Sequence, residues 1–186
     1  MNTEKKAYTL SVLVEDTPGV LSQVARLFSR KGYNIESICS GPGLGEGTTR
    51  ISVVTIVDEV TVHQIATQLS KLLLVISVDV LEGETSIQRE LVLIKVKAES
   101  REVRNEVIQI ANIFRASIID VSTSTLTLAI IGEESKDNAL EKLLEEFGIL
   151  ELVRTGMVAL ERGRATISDN EDNKETGEFV LGKNLL

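Results

Sequence analysis

Two hydrophobic periods alternate along this chain in one order, and that order then recurs. Tyr8 to Val14 (YTLSVLV) is rich in β-branched and apolar residues and reads as a strand. From Pro18 the period changes. Leu21, Val24, Ala25 and Phe28 recur at three- and four-residue steps, which predicts an amphipathic helix over Val20 to Arg30, ended by Gly32. Tyr33 to Ser40 (YNIESICS) alternates and reads as a strand. GPGLGEG, Gly41 to Gly47, reads as a hairpin loop, and Thr49 to Val57 as a third strand. Val62, Ile65, Ala66, Leu69 and Leu72 mark a second helix, and Val75 to Leu81 a fourth strand. A sequence that switches period in this way is committed to a β-α-β-β-α-β order, because neither pattern fits the other kind of element.

After a polar stretch, Glu82 to Glu90, the order returns. Leu91 to Val96 is a strand. Val103, Val107, Ile110, Ala111 and Phe114 mark a helix. Ser117 to Val121 and Thr125 to Ile131 form a strand pair. Ala139, Leu140, Leu143, Leu144 and Phe147 mark another helix, and Ile149 to Leu160 is a closing strand bent at Gly156. The fold class expected is α+β: two tandem ferredoxin-like βαββαβ domains, helices on one face of each antiparallel sheet. The expected boundaries are 1–81 for the first domain, 82–90 for a linker and 91–163 for the second domain. The acidic tail, 164–186, is expected to be disordered.

Composition removes several function classes. The chain has 186 residues, 42% of them hydrophobic, enough for two small cores. Its formal net charge is −8 and aromatics are 3% with no Trp. Such a chain repels phosphate backbones and offers few stacking platforms, so nucleic acid is not an expected partner. One cysteine, Cys39, and one histidine, His63, leave no intramolecular disulfide and no multi-His or Cys-rich metal site. The N-terminus MNTEKKAYTL has neither the apolar core of a secretory signal nor the character of a transit peptide. No apolar run reaches membrane-spanning length, so no membrane partner is expected. The expectation is a soluble, reducing compartment: cytoplasm, or plastid stroma if organelle-encoded.

No catalytic constellation stands out. GxSxG, Walker, HExxH and CxxC patterns are all absent. Gly43-Leu44-Gly45 precedes a strand rather than a helix and fails the context of a dinucleotide fingerprint. His63 is expected to be solvated or capping, Cys39 to pack, and Asp79 and Asp120 to face water at strand ends.

The segment EDTPGV, Glu15 to Val20, leaves two readings open. One is an ordinary helix start, with Thr17 as the cap and Pro18 at the first helical position. In the other, the N–H groups of Gly19, Val20 and Leu21 receive a carboxylate at the positive helix end while Asp16 pairs with an ammonium group. A carboxylate and an ammonium on one carbon describe an amino acid.

The longer stretch EDTPGVLSQVARLFSRKGYNIESI resembles the N-terminal ACT domain of the small, regulatory subunits of acetolactate synthase (acetohydroxyacid synthase). The KGYNIES part, Lys31 to Ser37, is typical of that family, whereas DxPGxL is shared by many ACT domains. QRELVLIKV, IFRASIIDVS (Ile113 to Ser122) and RTGMVALERG (Arg154 to Gly163) are similar to further stretches of it, so the resemblance spans Tyr8 to about Gly163.

That resemblance implies a regulatory subunit that is not itself an enzyme. It would bind and activate a thiamine-diphosphate-dependent catalytic subunit and confer feedback inhibition by a branched-chain amino acid, usually valine, in valine, leucine and isoleucine biosynthesis. Thiamine diphosphate, Mg²⁺ and FAD would belong to the catalytic partner, with no cofactor in this chain. It implies a homodimer through the ACT domains, with the effector between the turn of one chain and the second strand of the other. The matching turn residues are Asp16, Thr17, Pro18, Gly19, Val20 and Leu21; the matching strand residues are Asn34 and Ile35. Asp16 and Asn34 would hold the ammonium, and Ile35 would wall an apolar pocket. Some family members carry Asn where this chain has Asp16, which leaves effector preference open. Roles for Arg115, Asp120 and Arg154 are likewise left open. Two other classes are weighed: a transcription regulator, which lacks the expected helix-turn-helix and basic face, and an enzyme with an unfamiliar site.

Overall fold

The computed structural model describes residues 4–170, with side chains to residue 168. The chain divides into two units, one of residues up to Ile87 together with those from Met157, the other Gln88–Gly156.

In the first unit the elements are β1 (Lys6–Glu15), α1 (Val20–Lys31), β2 (Ser37–Pro42), β3 (Thr48–Val57), α2 (Glu59–Leu69) and β4 (Val75–Leu81). The sheet order is β2-β3-β1-β4, with antiparallel pairing throughout. The period-two alternation of β1 puts Tyr8, Leu10, Val12 and Val14 on the helix side. There they meet Val20, Val24, Leu27 and Phe28 of α1 and Val62, Ile65, Ala66 and Leu69 of α2. Each fully buried side chain of this kind contributes roughly 1.5–3 kcal/mol. Gly32 ends α1 at φ 71, its N–H returning to the Phe28 and Ser29 carbonyls.

The second unit carries β5 (Ser86–Lys97), α3 (Arg101–Phe114), β6 (Ser117–Val121), β7 (Thr125–Gly132), α4 (Glu134–Leu144) and β8 (Ile149–Arg154), with sheet order β6-β7-β5-β8. Val92, Ile94 and Val96 with Leu126, Leu128 and Ile130 face Val107, Ala111, Leu140 and Leu144. The βαββαβ order is therefore present twice, as the periodicity predicts.

Several expectations need correcting. Strand β2 begins at Ser37, not Tyr33; residues 33–36 form an irregular approach in which Tyr33 and Ile35 pack on the core. The polar stretch 82–90 is not all linker, since β5 starts at Ser86. The closing strand Ile149 to Leu160 is two strands. β8 ends at Arg154, Gly156 takes φ 79, and β9 (Val158–Glu161) pairs again with β5 as the fifth strand of that sheet, while its contacts group it with the first unit. Asp79 does not face water: it sits within β4 at 6% exposure, because the outer face of the first sheet is covered. Asp120 is exposed, as expected. The tail, expected to be disordered from 164, instead forms a 3₁₀ turn at Ile167–Asn170 with Ile167 buried, because that segment packs on β4; from residue 171 onward the expectation falls outside the described residues. No described helix is long and apolar enough to cross a membrane.

Candidate effector site

The turn between β1 and α1 differs from the simple cap that its letters suggest. Thr17–Val20 is a type II turn. Val20 N–H donates to the Thr17 carbonyl at 3.3 Å, Pro18 supplies its fixed φ at the second position, and Gly19 sits at φ 91, ψ −4 at the third. The residue preceding α1 is thus Gly19, whose carbonyl accepts from Gln23 N–H at 3.0 Å. No side chain caps this helix. The reading of Thr17 as cap and Pro18 as first helical residue is corrected accordingly: the turn must reverse the chain, and only a left-handed glycine does so without strain.

The missing cap has a consequence. The Thr17 hydroxyl is buried and has no hydrogen-bond partner among the described residues. Val20 N–H is committed to the turn, so the N–H groups left over at the helix mouth are those of Leu21 and Ser22 rather than of Val20. Val20's side chain is in the core at 7% exposure, while Leu21 is 44% exposed at the mouth. Asp16 is fixed on both sides: its N–H donates to the Gly47 carbonyl at 2.7 Å and its Oδ1 accepts from Thr49 Oγ1 at 3.1 Å. The turn is therefore held by the β3 hairpin, and its acid points to an exposed position beside an uncapped helix end.

Asn34 and Ile35 lie on the approach to β2. Asn34 Nδ2 donates to Glu36 Oε1 at 2.6 Å, and its carbonyl accepts from Thr55 Oγ1 at 2.7 Å. Ile35 is half-buried against the core, and Asn34 is exposed. Among the described residues of one chain no hydrogen bond joins Asn34 to the turn. β2 is an edge strand, paired only to β3 from Ser37↔Val54 to Pro42↔Thr49. Sequence reasoning missed Thr49, Gly47 and Glu36. All three act through contacts with residues already singled out; Glu36 lies within KGYNIES, and no motif marks the roles of Thr49 and Gly47.

A model of the AHAS small subunit-like ACT domain matches residues 10–77, and a model of the small subunit of acetolactate synthase matches residues 89–163. The acetolactate synthase small subunit of Mycobacterium leprae is 48% identical over 156 residues, covering 84% of this chain and 92% of that protein. The chain belongs to the acetolactate synthase small-subunit family. A probable acetolactate synthase small subunit of Methanothermobacter thermautotrophicus is 44% identical over 164 residues, covering 88% of this chain and 98% of that one. A crystal structure of the acetolactate synthase small subunit of Thermotoga maritima superposes with TM-score 0.80 at 37% identity, covering 86% of this chain and 99% of that chain.

Within that family frame the other flagged groups take plain roles. Arg115 adopts φ 56 at the end of α3, and its N–H reaches the Ala111 and Asn112 carbonyls, so it closes a helix. His63 lies on α2, on a shallow groove lined by Val60, Gln64, Thr67, Gln68 and Lys71 of the same helix. Cys39 is a half-buried free thiol on β2. Arg154 is ion-paired with Glu90 and Glu141 inside the second unit.

Proposed function

We propose that this chain is the non-catalytic regulatory subunit of acetolactate synthase. It binds and activates a thiamine-diphosphate-dependent catalytic subunit and makes it sensitive to a branched-chain amino acid, valine first. Thiamine diphosphate, Mg²⁺ and FAD are assigned to that partner. The observation that carries the effector part is the helix mouth: an uncapped α1 whose buried Thr17 hydroxyl has no partner, beside Asp16. Orphan N–H groups and the helix dipole suit a carboxylate. Asp16 suits an ammonium.

A second copy completes the pocket. The free edge of β2 is satisfied by pairing with the same edge of another chain, which makes a continuous sheet and removes an aggregation-prone border. Asn34 and Ile35 of that copy then close the polar and apolar ends. Effector works by binding two arrangements of the dimer unequally; a coupling of roughly 1–3 kcal/mol alters activity several-fold or more.

Calorimetry of the full chain with valine, leucine and isoleucine tests the reading. Saturable binding of at least one is expected, with half a site or one site per chain. No heat from any of the three removes the effector assignment. Pyruvate consumption by the isolated chain would remove the non-catalytic one.

A further inference from the structure

The outer face of the first sheet is built in rows that cross its strands. One row runs Cys39, Ser52, Ser11, Asp79; the next runs Gly41, Arg50, Leu13, Ser77. Ser52, Ser11, Asp79, Leu13 and Ser77 are all buried, although both helices lie on the other side. The cover is the chain's own segment beyond Gly156. β9 and the 3₁₀ turn Ile167–Asn170 pack on β1 and β4, with Ala159 and Ile167 each 8% exposed.

This seat differs from the helix face. Hydroxyls and an acid dominate it, and among the described strap side chains only Ala159 and Ile167 are buried apolar groups. Lifting the segment would hydrate these polar groups and expose Leu13 and Leu81 with Ala159 and Ile167, a smaller apolar set than the helix face buries, which places it toward the low-stability end of local opening.

Backbone pairing of β9 with β5 holds the segment, with Arg162 N–H donating to the Thr85 carbonyl at 2.9 Å, and one side chain grips it as well. Arg50 Nε donates to Ser11 Oγ at 2.8 Å and Nη2 donates to the Ala159 carbonyl at 3.2 Å. Its neighbour Thr49, projecting to the opposite face of β3, donates to Asp16 Oδ1 in the effector turn. At its other end the segment grows out of Arg154, which Glu90, Asn138 and Glu141 hold in the second unit, through Gly156 at φ 79.

We propose that residues 157–170 are a releasable strap and that Arg50 is the positioning residue through which the effector turn controls it. The inference rests on the effector reading above. An ammonium group on Asp16 competes with the Thr49 hydroxyl for the same oxygen. Loss of that bond frees the start of β3, Arg50 shifts with it, and the strap loosens. Because the strap continues covalently into β8, effector occupancy in the first unit reaches the second.

Hydrogen exchange of the full chain, read at amides 157–163 with and without saturating valine, tests this beside calorimetry on the same samples. Valine should speed strap exchange about tenfold, within the usual range of site-to-site coupling. Arg50→Ala should speed strap exchange without valine, abolish its valine response, and leave calorimetric affinity within about threefold. Arg50→Lys, which keeps the charge and one donor, should fall between the two and guards against misfolding of the alanine variant. Heat of binding with unchanged or slowed strap exchange overturns the strap alone. So does Arg50→Ala exchange equal to wild type. No heat of binding overturns the effector reading and this inference together.

Discussion

Arg154 Nη1 donates to Glu90 Oε1 across 2.7 Å, and the Glu90 side chain is only 5% exposed. The same guanidinium reaches Glu141 at 2.5 Å and Asn138 at 2.7 Å, so one cation joins β8, β5 and α4. Taking the cation away strands a buried carboxylate, which costs more than the pair itself contributes. Arg154→Ala should therefore lower the stability of the second unit by about 3 kcal/mol. The double variant Arg154→Met with Glu90→Gln should lose less than that single one. Urea denaturation of the full chain, followed by a probe in the second unit, checks both.

Asp137 sits beside this cluster, fully buried in the first turns of α4, with neither carboxyl oxygen hydrogen-bonded among the described residues. A Cβ on Gly132 would collide with it, so the glycine makes room for the acid. Burial, and then the charge of Glu90, push its pKa up; Arg154, Lys136 and Arg89 oppose this incompletely. The folded chain thus holds the proton more tightly than the unfolded chain. The stability this provides is present below the unfolded value and is lost as pH rises through the raised folded value. As pH rises above the unfolded carboxyl value, the wild-type urea midpoint should fall relative to that of Asp137→Asn, the two converging at the acid end. Parallel curves would mean that the carboxyl stays ionised throughout.

Ser100 and Thr17 look alike in sequence, each a hydroxyl ahead of an amphipathic run, yet they are not equivalent. Ser100 Oγ accepts from Val103 N–H at 3.2 Å and caps α3. Ser100→Ala should cost about 1 kcal/mol. The Thr17 hydroxyl bonds nothing among the described residues, so Thr17→Val should leave thermal stability unchanged or slightly raised. If the effector uses that hydroxyl, the same variant should weaken valine binding about 2–10-fold in calorimetry. Loss of stability in Thr17→Val would show the hydroxyl to be structural.

The contrast shows what the letters carry. Strand and helix order was legible because period is a local property: Leu10, Val12 and Val14 alternate, and Val24 and Phe28 recur on a helix, whatever lies elsewhere; Leu21, read on the same face, is 44% exposed, and Leu27 takes the buried place instead. The positions of Asp16 to Leu21 at a helix mouth were legible for the same reason. Their hydrogen bonds were not. Whether Thr17 caps α1 depends on Gly19 taking φ 91, and whether Asp16 is held depends on Gly47 and Thr49, distant in sequence. The division of 149–160 was hidden for a stronger reason. Met157 onward pairs again with β5 but packs on β1 and β4, distant in sequence, and in RTGMVALERG only Gly156 marks the break.

Gly19 offers the sharpest test of the turn. An added Cβ would meet nothing within 4 Å, so in a single chain the obstacle to substitution is φ 91 and not space. Alanine at that angle should cost about 1–2 kcal/mol in chemical denaturation. Asn and Asp tolerate left-handed backbone better, so Gly19→Asn and Gly19→Asp should both be less destabilised than Gly19→Ala. The two then separate on charge alone. Asp would place an anion where the effector carboxylate is to sit, facing the same N–H groups. Gly19→Asp should lose valine inhibition, assayed with the catalytic subunit, while keeping most of the activation. Gly19→Asn should retain weakened inhibition. Equal valine titrations for the Asn and Asp variants would mean that the carboxylate does not bind at this helix end, since no arrangement that places it there is indifferent to a neighbouring negative charge.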